Sequence, residues 1–383
     1  MGEGPLHVIQ AAEEWLPLTQ NWLHEQVRSL RPNVESKVVC WREVNPGLFS
    51  VPGTIVTRRH RVRTLTDKVR GRLGWQPIDD DIGTYFDPDI DLVHAHFGNH
   101  AWRVSRAATQ HGLPLIASFY GLDVTYLPRR DRRWRDRYHE LFDRAAAVLV
   151  LGPWMTERLV ELDCPREKLR IHHLGIAVDQ VPFQSPRPPG DTFRVLVAAA
   201  FREKKGIPDA IRAVARMGGR SPDVSLTIVG DGPDARSGRE RARIQEAIRD
   251  SGLSERIRVL PKMQRPELLR LARDHDVLLA PSRTAADGDA EGTPMILVDT
   301  AAVGIPIVTT RHADIPEVIP PGVAGLVVPE GDVAALADAL EQIRRDPASS
   351  AVRARAARAW VEDRFSSERQ AGRLADIYRS VVG

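Results

Sequence analysis

Phe193-Arg194-Val195-Leu196-Val197-Ala198-Ala199-Ala200 runs straight into Phe201-Arg202-Glu203-Lys204-Lys205-Gly206, and a helix-length pattern at 207–217 follows. The first run is short, continuous and apolar, as a strand covered on both faces of a sheet must be. A charged segment closed by glycine then makes a turn, and another apolar run at 225–229 completes a strand–helix–strand unit. The rhythm continues through the second half, with strands expected at 257–260, 277–281, 305–309 and 325–328. The helices between them fall at about 239–251, 265–273, 294–302 and 333–345. The first half repeats it, with strands at 6–10, 37–41, 92–97, 114–119, 147–152 and 169–173 and helices including 99–111 and 134–146. Two such sets predict an α/β protein of two doubly wound, Rossmann-like parallel-sheet domains. The segment 180–190, with Pro182, Pro186, Pro188, Pro189 and Gly190, sustains neither helix nor strand and reads as the linker. This gives a first domain at 1–179, a linker at 180–191 and a second domain at 192–362, followed by a helical tail at 351–382.

Composition agrees with this plan and narrows the function. A chain of 383 residues fits two domains at about 150 residues each. Its 42% hydrophobic and 27% charged residues are ordinary for globular proteins. A net charge of +3 does not call for nucleic acid as a partner. Cys40 and Cys164 form no metal or disulfide pattern, which suits a reducing cytoplasm. The longest apolar runs, such as 145–151, fall well short of the roughly 18–20 residues of a membrane span. The start, Met1-Gly2-Glu3-Gly4-Pro5, does not read as a secretory signal. Only six of the 54 basic residues are lysine, yet two of those six adjoin at Lys204-Lys205.

Ligands of open α/β sheets bind beyond the carboxyl ends of the strands, so the residues after each strand are the candidates. Asp289-Ala290-Glu291-Gly292-Thr293-Pro294-Met295 opens a helix that carries Asp299 and ends before Gly304. Thr293 is the expected N-cap and Pro294 the first helical residue. Glycine at such a start lets backbone N–H groups approach an anion, and the helix dipole favours a phosphate there. Glu291 would repel that phosphate and is expected to face hydroxyls. Asp299 lies about 12 Å further along a regular helix, roughly a nucleoside's reach. The same residues also read as a helix with an acid near its start. Arg202, Lys204 and Lys205 could clamp a diphosphate or form a solvated turn. His94 and His96 share a sheet face, but no third ligand of suitable spacing follows, so no metal site is expected.

Other features are set aside. Asp87-Pro88-Asp89-Ile90-Asp91 leads into a strand and reads as a turn. Gly230-Asp231-Gly232-Pro233 lacks the third glycine of a dinucleotide fingerprint, which argues against a nicotinamide or flavin oxidoreductase. Basic segments at 58–73 and 129–138 could meet an anionic membrane, although interspersed acids favour solvated helix faces.

Taken in order, the segments around His94 and His96, Tyr120 to Asp123, Arg202 to Gly206, Gly230 to Pro233, and Glu291 to Asp299 resemble the group-one, family-four retaining glycosyltransferases along essentially the whole chain. The resemblance implies the GT-B fold: two facing Rossmann-like domains with a cleft between them and a final helix, about 363–383, crossing back to the first. It implies that Glu291 contacts donor-sugar hydroxyls, Asp299 holds the ribose, Gly292, Thr293, Pro294 and Met295 form the loop whose amides meet the phosphates, and Lys205 meets the diphosphate. Gly230 and Asp231 fall with the donor. Arg202 substitutes for an arginine that relatives often carry where this chain has Ala199-Ala200. His96 is assigned to catalysis, and Tyr120, Gly121 and Asp123 to the acceptor side. Asp299 replaces the usual glutamate, Tyr120 stands where many members have histidine, and 17–21 replaces a glycine-rich phosphate loop.

The implied activity is metal-independent transfer, with no cofactor, from a nucleotide sugar (a UDP- or GDP-sugar foremost). The acceptor is a hydroxyl of a saccharide, lipid-linked saccharide or small molecule, in polysaccharide or glycoconjugate synthesis. A cytoplasmic enzyme is expected, held at an anionic membrane through 58–73 if the acceptor is lipid-linked. Alternatives are a GT-B nucleotide-sugar epimerase, a non-catalytic nucleotide-sugar-binding relative and, weakest, a nucleic-acid binder.

Overall fold

The computed structural model describes residues 4–17, 20–57, 80–218, 223–232 and 234–383. The basic segment 58–73, residues 18–19 of the replaced loop and Pro233 lie outside these. All the expected strands form. They are β1 (Leu6–Trp15), β2 (Val34–Glu43), β3 (Ile55–Val56), β4 (Leu92–His96), β5 (Leu115–Ser118), β6 (Ala147–Val150) and β7 (Leu169–Ile171), then β8 (Phe193–Ala198), β9 (Val224–Val229), β10 (Ile257–Leu260), β11 (Val277–Ala280), β12 (Ile307–Thr310) and β13 (Leu326–Val328). The unexpected strand, β3, is a two-residue edge beside β2.

Among the described residues the strands build two all-parallel sheets, ordered β3-β2-β1-β4-β5-β6-β7 and β10-β9-β8-β11-β12-β13. Each order reverses once, between β1 and β4 and between β8 and β11, which marks the switch point of a doubly wound sheet. The chain divides into two units, Met1–Ile176 with Ser367–Gly383, and Ala177–Ser366. The proline-rich stretch belongs to the second unit, where Gln184 N–H donates to Val303 O at 2.8 Å. Arg358 ties down the residues before it by donating to the carbonyls of Val178 and Val181.

The helical tail is two helices, Pro347–Arg364 and Ser367–Val382, interrupted at the buried Phe365. The second packs Leu374 and Tyr378 against Val8, Leu92 and Ile116 of the first sheet. Burying such side chains contributes about 1.5–3 kcal/mol each, so this helix is part of the first unit's core. In the second unit the helices Ile207–Gly218 and Val333–Arg345 cover a common core with Val195, Ile228 and Leu279.

The acidic run before β4 is a turn as expected, with Ile90 N–H donating to Asp87 O and the Asp91 carboxylate accepting His7 N–H at 2.7 Å. In the arginine-rich helix Arg133–Arg144, Arg137 is buried over the rings of Trp102 and Trp134. No helix of the described residues is long and apolar enough to cross a membrane.

Candidate active site

Charged side chains of the second unit gather at the carboxyl ends of its central strands. The turn after β8, Glu203–Lys205, closes at Gly206, whose φ of +63° and 2.0 Å approach of a would-be Cβ to Pro281 O leave room for glycine only. This turn aims two ammonium groups at the segment before the helix Met295–Val303. Lys205 Nζ lies 2.7 Å from Glu291 Oε1, and Lys204 Nζ lies 2.9 Å from both Asp289 Oδ1 and Ala290 O. Arg236 adds a second cation to Asp289, at 2.9 Å. Asp289 and Glu291 are almost fully buried, so each needs its cation: an unpaired buried charge typically costs about 3–5 kcal/mol. Burial pushes the Glu291 carboxyl up, but Lys205 and Lys204 outweigh it and hold it below the ordinary range. Burial likewise works against the Lys204 ammonium, yet Glu291 and Asp289 raise it.

The helix begins one residue later than expected. Pro294, with extended backbone, occupies the cap position and no side chain caps the helix, so Thr293 is not the N-cap. Its hydroxyl is buried and finds no hydrogen-bond partner among the described residues. Gly292 and Pro294 are buried and Met295 half-buried. The first-turn amides of any helix lack acceptors within it, and here they begin at Met295, just after the Glu291–Pro294 segment. Further along, Asp299 is buried and its Oδ1 meets Arg265 Nε at 2.8 Å and Nη2 at 2.7 Å. Burial raises the Asp299 carboxyl, with Arg265 opposing.

Arg202 is not the free cation that was expected. Its guanidinium grips Asp234 through two nitrogens, at 2.5 and 2.7 Å, and donates to Ser237 Oγ at 2.6 Å. Asp234 in turn caps the helix Ala235–Asp250 by accepting Ser237 N–H, and Arg202 first, then this amide, hold its carboxyl far below the ordinary range. Gly230 packs tightly: a Cβ there would sit 1.9 Å from Ala199 O. Asp231 carries no bond to Glu291; its carboxylate accepts Gly232 N–H and pairs with Arg241 at the surface.

In the first unit, His96 is fully buried, with both ring nitrogens hydrogen-bonded within the protein. Gln10 Oε1 accepts from Nε2 at 2.9 Å, leaving Nδ1 to accept the Tyr120 hydroxyl at 2.7 Å. Burial first, then His172, lowers it to about 3, so the imidazole is neutral. Burial pushes the Tyr120 hydroxyl well up. Asp123 is also wholly buried, and its carboxylate accepts the N–H groups of Gly98, Tyr120 and Gly121 at 2.9–3.0 Å. His96 and Asp123 therefore shape the Tyr120–Gly121 loop from below.

Four participants escaped the sequence reading. Arg236 and Arg265 are recognisable only by their carboxylate partners, 53 and 34 residues away. His312 and Glu330 follow β12 and β13 and were findable by applying the strand-end rule to every strand of the sheet. His312 Nε2 lies 3.1 Å from Glu291 N, and Nδ1 lies 2.6 Å from Glu330 Oε2.

Two doubly wound parallel domains, one bearing a lysine–carboxylate cluster before an uncapped helix start, match the GT-B class that the sequence resemblance implies. The fold superposes on Anabaena HepE, solved with UDP and with UDP-glucose, at TM-scores of 0.77, covering 98% of this chain and 100% of that one at 16–17% identity. Residues 22–175 match the family model for the glycosyl transferase 4-like domain, and 179–360 that for glycosyl transferases group 1. The amylovoran biosynthesis glycosyltransferase AmsK of Erwinia amylovora is 31% identical over 76% of this chain and 70% of its own. The putative colanic acid biosynthesis glycosyltransferase WcaL of Escherichia coli K12 is 28% identical over 86% and 84%. A GDP-mannose-dependent phosphatidylinositol monomannoside mannosyltransferase of Mycolicibacterium smegmatis is 28% identical over 67% and 63%. The chain belongs to the group-one glycosyltransferases, the retaining enzymes of family four.

Proposed function

We propose that the enzyme moves a hexose, with retention and without a metal, from a nucleoside-diphosphate sugar to a hydroxyl of a saccharide or lipid-linked saccharide during assembly of an exopolysaccharide. The observation that carries this is the Lys205–Glu291 pair at the start of the helix Met295–Val303. Cleavage of a sugar–phosphate bond leaves negative charge on the nucleotide and positive charge on the ring. Lys205 and the helix N-terminus supply fixed positive potential where the leaving charge grows. A diphosphate beside Lys205 replaces the carboxylate as its partner and turns Glu291 over to the sugar hydroxyls. The N–H groups of Gly292, Thr293 and Met295, before and at the helix start, receive the phosphates, and Asp299, oriented by Arg265, receives the ribose. Gly230 admits close backbone packing at the neighbouring strand end. With retention, a phosphate oxygen takes the acceptor's proton as the acceptor attacks from the face the phosphate leaves.

The Tyr120–Gly121 loop, fixed by His96 and Asp123, is assigned to the acceptor. The polysaccharide setting rests on AmsK and WcaL, and the choice of UDP or GDP on HepE and the mycobacterial mannosyltransferase.

A thermal-shift panel of UDP, GDP, ADP, CMP and dTDP, each with EDTA and again with magnesium, tests the donor. A ligand at 100 times its Kd stabilises by about 2.7 kcal/mol, a readily visible shift. Metal-independent stabilisation by UDP or GDP is expected. Silence from all five overturns the donor assignment.

A further inference from the structure

We infer that His312 is a positioning residue for Glu291, holding its backbone through a neutral imidazole that Glu330 orients. This rests on the reading of Glu291 as the group that meets the donor sugar.

Three adjacent strands bring the parts together. Thr284 follows β11, His312 follows β12 and Glu330 follows β13, and these strands are neighbours in the sheet. His312 is 3% exposed. A backbone N–H can only donate, so the ring nitrogen facing Glu291 N, Nε2, must present a lone pair. The ring proton therefore sits on Nδ1 and is donated to Glu330 Oε2. Glu330 is held in turn by the Thr284 N–H at 3.0 Å and the Thr284 hydroxyl at 3.2 Å. The chain of donors has one direction: Glu291 N–H to His312, His312 N–H to Glu330.

The consequence lies in what surrounds Glu291. Its carboxylate is fixed by Lys205 and the preceding residues by Lys204 and Arg236, but Lys205 is also the cation a diphosphate would claim. Once it does, the His312 bond is what keeps the Glu291 backbone in register. Gly292 follows immediately and offers no side chain to hold the turn. A misplacement of about 1 Å at such a residue is enough to cost a hundredfold in rate. The imidazole does not touch Asp299 or Arg265, the groups assigned to the nucleoside, so the loss should fall more heavily on the sugar than on the nucleotide.

The test is calorimetric titration with UDP, UDP-glucose, GDP and GDP-mannose on the full chain and its H312A, H312Q, E330Q and E291Q variants. We expect H312A to weaken the preferred sugar nucleotide about tenfold while the matching nucleoside diphosphate stays within about twofold. His312→Gln, whose amide oxygen can accept the same N–H, should restore most of the loss. An H312A variant that weakens diphosphate and sugar nucleotide equally, or neither while E291Q weakens the sugar nucleotide, overturns the positioning role. An unaffected E291Q, or no binding by any of the four, defeats the donor-sugar reading itself. The unsubstituted protein gives a check free of folding effects. Nitrogen-15 spectra, assigned by difference with H312Q, should show His312 protonated at Nδ1 and bare at Nε2; the opposite tautomer overturns the proposal.

Discussion

Lys205 and Arg202 lie three residues apart after the same strand, yet they answer to different carboxylates. The distinction separates their expected phenotypes. Lys205→Ala removes a cation from the site of leaving charge and should lower kcat by about 10²–10³-fold, measured well below the variant's Tm. Arg202→Ala instead frees Asp234 from its bidentate partner and loosens a helix cap. Its signature should be a stability loss no larger than the about 0.5–2 kcal/mol a helix cap contributes, seen as a lower Tm, with kcat within about tenfold because Arg202 faces Asp234 instead of the leaving charge. Equal kcat losses for both would return Arg202 to the catalytic group. The residue types at this site were legible because charge after a buried strand is out of place unless it is used. The pairings were not, because Asp234, Arg236, Arg265, His312 and Glu330 reach their partners only through the fold. His96 and Asp123 carry the same lesson: their residue types suggested chemistry, while burial and saturated hydrogen bonding make them supports.

At the scale of elements, the turn Glu203–Lys205 depends on Gly206. Substituting Gly206→Ala forces a Cβ against the Pro281 carbonyl at a positive φ. A penalty of about 2–3 kcal/mol, seen as a Tm drop of about 5–10 °C by calorimetry, is expected. A variant as stable as the parent would mean the turn can be rebuilt. Elements with continuous apolar runs, such as β8, β9 and β11, were readable from sequence nearly to the residue. Those with polar residues were shortened: β1 extends through Glu13 and Glu14 to Trp15, and β2 through Arg42 to Glu43. The helices Asn21–Ser29 and Pro153–Val160 carry a weak sequence signal, since short amphipathic segments depend on the sheet they pack against. The helix Ala235–Asp250 starts earlier than its periodicity suggests because Asp234 caps it.

Across the whole molecule, buried neutral histidines are unequally shared. Burial lowers His94 well below its usual value, His96 and His100 to about 3 and His172 to about 4, all in the first unit. The second unit has only His275 and His312. Between pH 6.5 and about 3 the unfolded first unit takes up protons that the folded one refuses. Its stability is therefore full above pH 6.5 and falls as the pH drops through that window. Every tryptophan except Trp360 precedes residue 155, so indole fluorescence reports the first unit. Its melting temperature should fall between pH 7 and pH 5, ahead of the loss of far-ultraviolet helical signal from the second; an unchanged fluorescence Tm would refute this. The inequality bears on how the chain is born. The first unit needs Tyr378, buried and hydrogen-bonded to His94, to complete its core. Translation delivers that residue only after the whole second unit. The amino-terminal half therefore emerges from the ribosome first but waits, incomplete, while the carboxyl-terminal half has all its residues and can fold around β8 to β13. For some 200 residues of synthesis, a nearly finished sheet with one face incompletely covered is the part of this protein most in need of a chaperone.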